Sequence, residues 1–160
     1  MKAYRSSILR FASDREPRHA AIFEEDGLLV VAPDAAGVQV VKAVGSYQSL
    51  IGQFPYLAVE HLPGRIIAPG FVDMHLHYPQ TDIIGSPAPG LLPWLENYTF
   101  PEEKRFSSAE YSAQAATFFI AELLRNGVTT ALTFAPSHPE SVNALFSQAQ
   151  ANGMRLITGK

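Results

Sequence analysis

The chain has no cysteine among its 160 residues. This absence excludes disulfide bonds and every zinc site that uses thiolate ligands, including sites built on a Pro-Cys-x-x-Cys pair. Any metal ion that these residues bind must therefore be held by histidine and carboxylate side chains.

Long apolar runs and strongly charged segments are also missing. No apolar stretch approaches the roughly 20 residues of a membrane span, and Ile8-Leu9 is too short for the core of a signal peptide. Fifteen acidic against twelve basic residues give a net charge of −3, and the longest basic run is Lys104-Arg105. The composition therefore predicts a soluble, cytoplasmic protein whose partners are neither nucleic acids nor membranes.

The first part of the chain, residues 1–66, has the pattern of a small β domain. Asp26-Gly27 is a strong hairpin signal between the apolar runs 19–24 and 28–31. Further strands are predicted at 38–44 and 56–59, and Pro63-Gly64 predicts a turn. This spacing is typical of a small β-sandwich or of part of one.

The second part, residues 67–160, alternates strands with helices. The capping box Ser107-Ser108-Ala109-Glu110 predicts the start of a helix that ends at Asn126-Gly127. A strand at 128–134, a helix ending at Asn152-Gly153 and a strand at 154–158 follow. Repeated βα units predict a parallel sheet, as at the start of either a doubly wound sheet or a (β/α)₈ barrel.

The helices of this second part each carry an apolar face. In the first helix the predicted buried residues recur at i, i+4, i+7 and i+8, which is the spacing of a face packed on a core. They are Tyr111, Ala115, Phe118 and Phe119. The second helix has the corresponding set Val142, Leu145, Phe146 and Ala149.

A proline-rich segment separates the first strand of this part from its first helix. It contains Trp94, Tyr98, Phe100 and several leucines, too many apolar side chains for a disordered segment. Two interpretations remain open: an ordered loop over a functional site, or a structural Ω-loop with its own small core.

Residues 69–77 carry the chemistry. They form an apolar strand introduced by Pro-Gly and ending in His75-Leu76-His77. Because strand side chains alternate between two faces, His75 and His77 are predicted to point the same way, together with Asp73. Two imidazoles at this spacing can bind one metal ion. Their place at the carboxyl end of a strand, with no glycine-rich phosphate loop after it, favours the barrel over the doubly wound sheet.

These residues resemble a known family. The sequence Pro-Gly-Phe-Val-Asp-x-His-x-His after a β-rich segment is similar to that of the amidohydrolase superfamily, which consists of metal-dependent (β/α)₈ barrels flanked by a β domain built from both chain ends. The stretches 77–82 and 92–103 resemble the guanine deaminases within it. The resemblance covers residues 66–160 well and residues 1–65 more loosely.

The resemblance implies roles for particular residues. His75 and His77 would bind one catalytic Zn²⁺, and Gln80 with His77 would bind the purine. Asp73 would orient a histidine, His138 would be structural or support the site from outside, and Trp94 and Phe100 would pack in the core or stack on the base. Lys160 is assigned no metal-bridging role.

The implied reaction is the hydrolysis of guanine to xanthine and ammonia by a homodimeric enzyme of purine catabolism. The family's other metal ligands and its proton-shuttling glutamate lie on later strands, so no catalytic acid or base is expected within these residues. A whole barrel takes about 250 residues, so we expect this chain to be the N-terminal part of the enzyme. The alternatives are a truncated, inactive product and another amidohydrolase, such as a different deaminase or a chlorohydrolase.

Overall fold

The computed structural model describes residues 1–12, 16 and 19–159 and divides the chain into two compact units, Met1–Pro69 and Gly70–Lys160. The elements of the first unit are the strands β1 (Lys2–Phe11), β2 (Ala21–Pro33), β3 (Gln39–Ser46) and β4 (Val59–Ile67), and the short helix α1 (Tyr47–Leu50), which a 3₁₀ turn (Ile51–Gln53) continues.

The first unit is one mixed sheet with strand order β3-β2-β1-β4. Strands β3, β2 and β1 pair antiparallel, whereas β1 and β4 are parallel. Ala3, Leu28 and Val30 are buried on one face, and Tyr47 and Leu50 pack against them. The described residues of this unit therefore form a single β layer with a short helical segment on one face.

The predicted hairpin at Asp26-Gly27 is wrong, because both residues lie inside β2. The register between β1 and β2 shifts from the pair Ser6–Gly27 to the pair Ile8–Glu24, which marks a β-bulge. A Cβ on Gly27 would lie 2.6 Å from the side chain of Ile8. Glycine is needed here for this close approach rather than for a turn.

Two smaller predictions for the β domain need correction. Strand β4 continues through Pro63-Gly64, where its register with β1 shifts and Gly64 has a φ of 70°. Only Val59 of the predicted strand 56–59 belongs to β4, and Tyr56 is 99% exposed.

The second unit is a βα-repeat structure with a parallel sheet of order β5-β6-β7. Its strands are β5 (Phe71–His77), β6 (Val128–Phe134) and β7 (Arg155–Gly159), joined by α4 (Ala109–Arg125) and α5 (Pro139–Ala151). The helices pack on one face of the sheet. The buried core consists of Tyr78, Phe106, Ala116, Phe119, Ile120, Ala131, Leu145, Ala149 and Met154.

The ends of α4 and α5 follow from their local sequences. Ser108 rather than Ser107 caps α4, with its hydroxyl accepting from the amide of Tyr111 at 3.3 Å. Gly127 and Gly153, just beyond the two helices, have φ of 79° and 65°. The predicted glycine termini are therefore confirmed, because these positions require the left-handed region.

The predicted buried faces of the helices are only partly right. On α4, Phe119 is buried but Phe118 is 54% exposed. The core-facing residues also include Ser112, Ala116 and Ile120, so the buried face is rotated relative to the predicted one. On α5, Leu145 is fully buried whereas Phe146 is 43% exposed.

The neighbouring residues Leu145 and Phe146 give a test of this packing. Leu145→Ala should lower the free energy of unfolding by roughly 2–5 kcal/mol, because it leaves a cavity in the core. Phe146→Ala, the matched control, should cost clearly less although it removes a larger side chain. Denaturant unfolding monitored by circular dichroism measures both, and equal losses would contradict the assigned face.

The proline-rich segment is ordered and largely helical. It contains a 3₁₀ turn (Tyr78–Ile83), α2 (Leu91–Trp94), a π-helical turn (Leu95–Thr99) and α3 (Phe100–Arg105). The π turn stands next to Pro101, which has no N–H to donate in a regular helix. Tyr78 and Phe106 at the two ends of the segment are buried in the core that they share with α4 and α5, and Ile83 is buried as well.

No helix within the described residues is both long enough and apolar enough to span a membrane.

Candidate metal centre

Strand β5 delivers the two histidines of the motif to its carboxyl end. His75 is exposed and His77 is half-buried, and their Nε2 atoms are 3.3 Å apart. Two nitrogens that each lie about 2.1 Å from one tetrahedral zinc ion are about 3.4 Å apart. The separation also permits a hydrogen bond between the two rings when no metal is bound. The separation of the two Nε2 atoms therefore matches the length of one edge of a zinc tetrahedron.

An aromatic ring on the neighbouring strand contacts both imidazoles. Phe134 ends β6 in register with His77, and its ring stacks on His77 with centroids 4.9 Å apart. The same ring meets His75 edge-on at 5.6 Å. Sequence reasoning missed Phe134, because its register with His77 depends on how β5 and β6 pair.

Asp73 does not share the face of the two histidines as predicted. It pairs with Ala131, and Leu76 pairs with Thr133, so three steps along β5 match two along β6. Because of this bulge, the side chains of Asp73 and His75 lie on opposite faces of β5 although the two residues are two positions apart. The Asp73 carboxylate instead accepts a hydrogen bond from the backbone amide of His75 at 3.1 Å.

Gln80 follows the histidines in the 3₁₀ turn. It lines a cleft of about 570 Å³ together with both histidines. Its side-chain amide makes no hydrogen bond to any other residue that the structure describes, so its donor and acceptor are available to a ligand. The cleft wall also includes Leu76, Thr81, Ile84, Phe118, Phe119, Glu122, Leu123 and Asn126.

The other candidate residues lie away from this cleft wall. Trp94 is half-buried and Phe100 is 49% exposed, and neither lines the cleft. His138 precedes α5, where its carbonyl accepts from the Ser141 hydroxyl at 2.7 Å. Lys160 lies outside the described residues.

Within the described part of the chain, no third histidine or carboxylate joins the pair to form a metal-binding group. The two histidines therefore offer two ligands of a site that needs at least three from protein. The donor set fits zinc, since imidazole is a common zinc ligand and a chain without cysteine has no thiolate to offer in its place.

The comparison with protein families decides what kind of chain this is. The model of the amidohydrolase family matches residues 66–160. This chain belongs to the amidohydrolase family. The match begins in the last two residues of β4 and runs through β7, so it includes both histidines, Gln80 and the three-stranded parallel sheet.

Guanine deaminases are among the similar amidohydrolases. The guanine deaminase of Escherichia coli (strain K12) is 41% identical over 165 aligned residues, which cover 100% of this chain and 36% of that protein. A structure of the E. coli guanine deaminase superposes with a TM-score of 0.88 and covers 100% of this chain and 37% of the other. The chain therefore spans little more than a third of the length of these relatives.

A second solved structure is a guanine deaminase from C. acetobutylicum with guanine bound in its active site. It is 28% identical, superposes with a TM-score of 0.80 and covers 99% of this chain and 36% of the other. A more distant amidohydrolase fold, an adenosine deaminase from Xanthomonas campestris with bound zinc, is 21% identical with a TM-score of 0.63. These superpositions confirm the predicted α/β class and the beginning of a (β/α)₈ barrel.

Proposed function

We propose that this chain is part of a zinc-dependent guanine deaminase, which hydrolyses guanine to xanthine and ammonia. The observation that carries the proposal is the cleft at the end of β5, where two imidazoles at zinc-ligand spacing and a free amide on Gln80 share one wall. The 41% identity to the E. coli guanine deaminase over the full chain supports guanine as the substrate.

His75 and His77 would each bind zinc through Nε2. When bound, zinc lowers the pKa of a water molecule to about 7 and so makes hydroxide available at neutral pH. The ring of Phe134 holds the two imidazoles in their orientation, since it contacts both. Further ligands and the acid/base group that moves the proton to the departing ammonia would come from residues other than those described.

Gln80 would bind the purine beside the metal. Its amide offers one acceptor and two donors, and the edge of guanine presents both kinds of partner. His77 lines the same cleft and would contact the substrate while it binds zinc. We propose in addition that the enzyme is a cytoplasmic homodimer of purine catabolism, which the resemblance implies.

The test is to identify the products that the zinc-loaded protein forms from guanine. The protein is used at the length in which its native organism produces it. Incubation with guanine should release xanthine and ammonia in a one-to-one ratio, and removal of zinc by a chelator should stop both. Adenine, a pyrimidine amine and a triazine serve as competing substrates. Turnover of one of these with guanine left intact would assign the protein to another amidohydrolase activity.

A further inference from the structure

The turn that carries Gln80 is tied to α4 at both of its ends. Tyr78 lies two residues before Gln80, and its hydroxyl donates to the carbonyl of Ser112 at 2.7 Å. Asp82 lies two residues after Gln80, and its Oδ2 accepts from the hydroxyl of Tyr111 at 3.1 Å. The two anchors on α4 are consecutive residues, so one point of the helix holds both ends of the turn.

The anchor at Tyr78 belongs to the core. Its side chain is fully buried, and its ring packs against Phe106 and Phe119 with centroids 4.9 and 5.5 Å away. Within the turn, the hydroxyl of Thr81 donates to the carbonyl of Tyr78 at 2.8 Å. This end of the turn is fixed by packing and does not depend on a single hydrogen bond.

The anchor at Tyr111 is polar and connects three segments. Its hydroxyl lies within hydrogen-bond reach of both the buried carboxylate of Glu102 on α3 and the carboxylate of Asp82 in the turn, and it can donate its single proton to either one. Glu102 also accepts from Arg105 at 2.8 Å, and the Arg105 guanidinium lies 3.9 Å from the centre of the Tyr111 ring. Burial, followed by the bonds to Glu102 and Asp82, raises the pKa of Tyr111 above its ordinary value. The hydroxyl therefore stays protonated and remains a donor.

We infer that Tyr111 is a positioning residue for Gln80: through Asp82 it fixes the second end of the turn and so sets how well the Gln80 amide meets the purine. This inference rests on the proposed function. Tyr111 is not part of the cleft wall that contains the histidines, so it acts through the turn and does not touch the substrate. A small displacement of a positioning group has a large effect on binding, because hydrogen bonds weaken steeply away from their preferred geometry.

The test is Tyr111→Phe in the zinc-loaded protein at its natural length. This change removes the hydroxyl and keeps the ring, which contacts Phe106 and Arg105. We expect KM for guanine and the Kd for xanthine to rise about tenfold, because a displaced Gln80 amide would lose the equivalent of about one hydrogen bond to the purine. Turnover at saturation and zinc content should stay within about twofold, since Gln80 would bind substrate and transition state alike.

Two further variants keep the test decisive. Asp82→Ala removes the acceptor from an exposed position and should raise KM as Tyr111→Phe does, and the double variant should be no worse than either single one. If Tyr111→Phe does not fold, Asp82→Ala provides the same measurement. Tyr56→Phe, which removes a hydroxyl from a side chain that is 99% exposed, is the control and should match the wild type.

The outcomes separate this inference from the proposed function. An unchanged KM in Tyr111→Phe, with normal guanine turnover by the wild type, would overturn the positioning role and leave guanine deamination intact. A loss of zinc and of saturated turnover at constant KM would also overturn it, because it would make Tyr111 a support of the metal site. A zinc-loaded wild type that leaves guanine unchanged would overturn both proposals.

Discussion

Replacing both histidines of β5 by alanine should abolish zinc binding and guanine turnover together. His75 and His77 provide the two Nε2 atoms at zinc-ligand spacing, and a tetrahedral site cannot hold the metal after it loses two ligands. The loss of partners outside the ligand shell already costs about 10–100-fold in metal affinity or activity. We therefore expect the double variant to lose more than about a thousandfold in kcat/KM.

Metal analysis and kinetics on the same preparations measure this effect. His61→Ala is a matched control, because His61 is an exposed histidine on β4 of the other unit. It should keep full zinc content and full turnover. Stoichiometric zinc in the double variant would remove His75 and His77 from the metal site, even if turnover were lost.

Gln80→Ala should separate substrate recognition from metal binding. Because the amide would make at least two hydrogen bonds to guanine, its removal should lower kcat/KM by about 30–100-fold, or roughly 2–3 kcal/mol. Zinc content should not change, since the Gln80 amide is free in the structure and contacts neither imidazole through a hydrogen bond. Steady-state kinetics with guanine and metal analysis provide the two readouts.

Gln114→Ala is the control for this prediction. Gln114 is an exposed glutamine on α4 whose amide donates to Glu110 at 3.3 Å. Its loss should leave kcat/KM for guanine unchanged. If Gln80→Ala kept full turnover, Gln80 would be excluded from the substrate site. If it lost zinc as well, its role would be structural.

The βα repeat and the histidine pair could be predicted because their signals are local. Strand β6 has the predicted limits, and the glycines after α4 and α5 take the left-handed conformation that their positions implied. His75 and His77 are two residues apart within one strand, so a period of two was enough to bring them together.

Features that depend on strand pairing could not be read from the sequence. Asp26-Gly27 has the composition of a turn, but pairing with β1 across a bulge keeps it inside β2. In β5, the bulge between Asp73 and Leu76 places the Asp73 side chain on the face opposite to the two histidines. A bulge adds one residue relative to the partner strand, so it is defined by two segments that lie far apart in the chain.

The contact that anchors the Gln80 turn could not be predicted either, because it also joins two distant segments of the chain. Asp82 and Tyr111 are 29 residues apart, and each is an ordinary residue in its own segment. Tyr111 was correctly predicted to lie on the apolar side of α4. Helical periodicity does not reveal that its hydroxyl also contacts Asp82. Only the fold brings it to the turn that carries Gln80.

The most direct test of the proposed metal and substrate site is a crystal structure of the zinc-loaded protein with xanthine, with the metal located by anomalous scattering at the zinc edge. We expect one zinc ion about 2.1 Å from Nε2 of both His75 and His77, and xanthine hydrogen-bonded to the amide of Gln80. Zinc bound away from this pair, or xanthine bound out of reach of Gln80, would contradict the proposal.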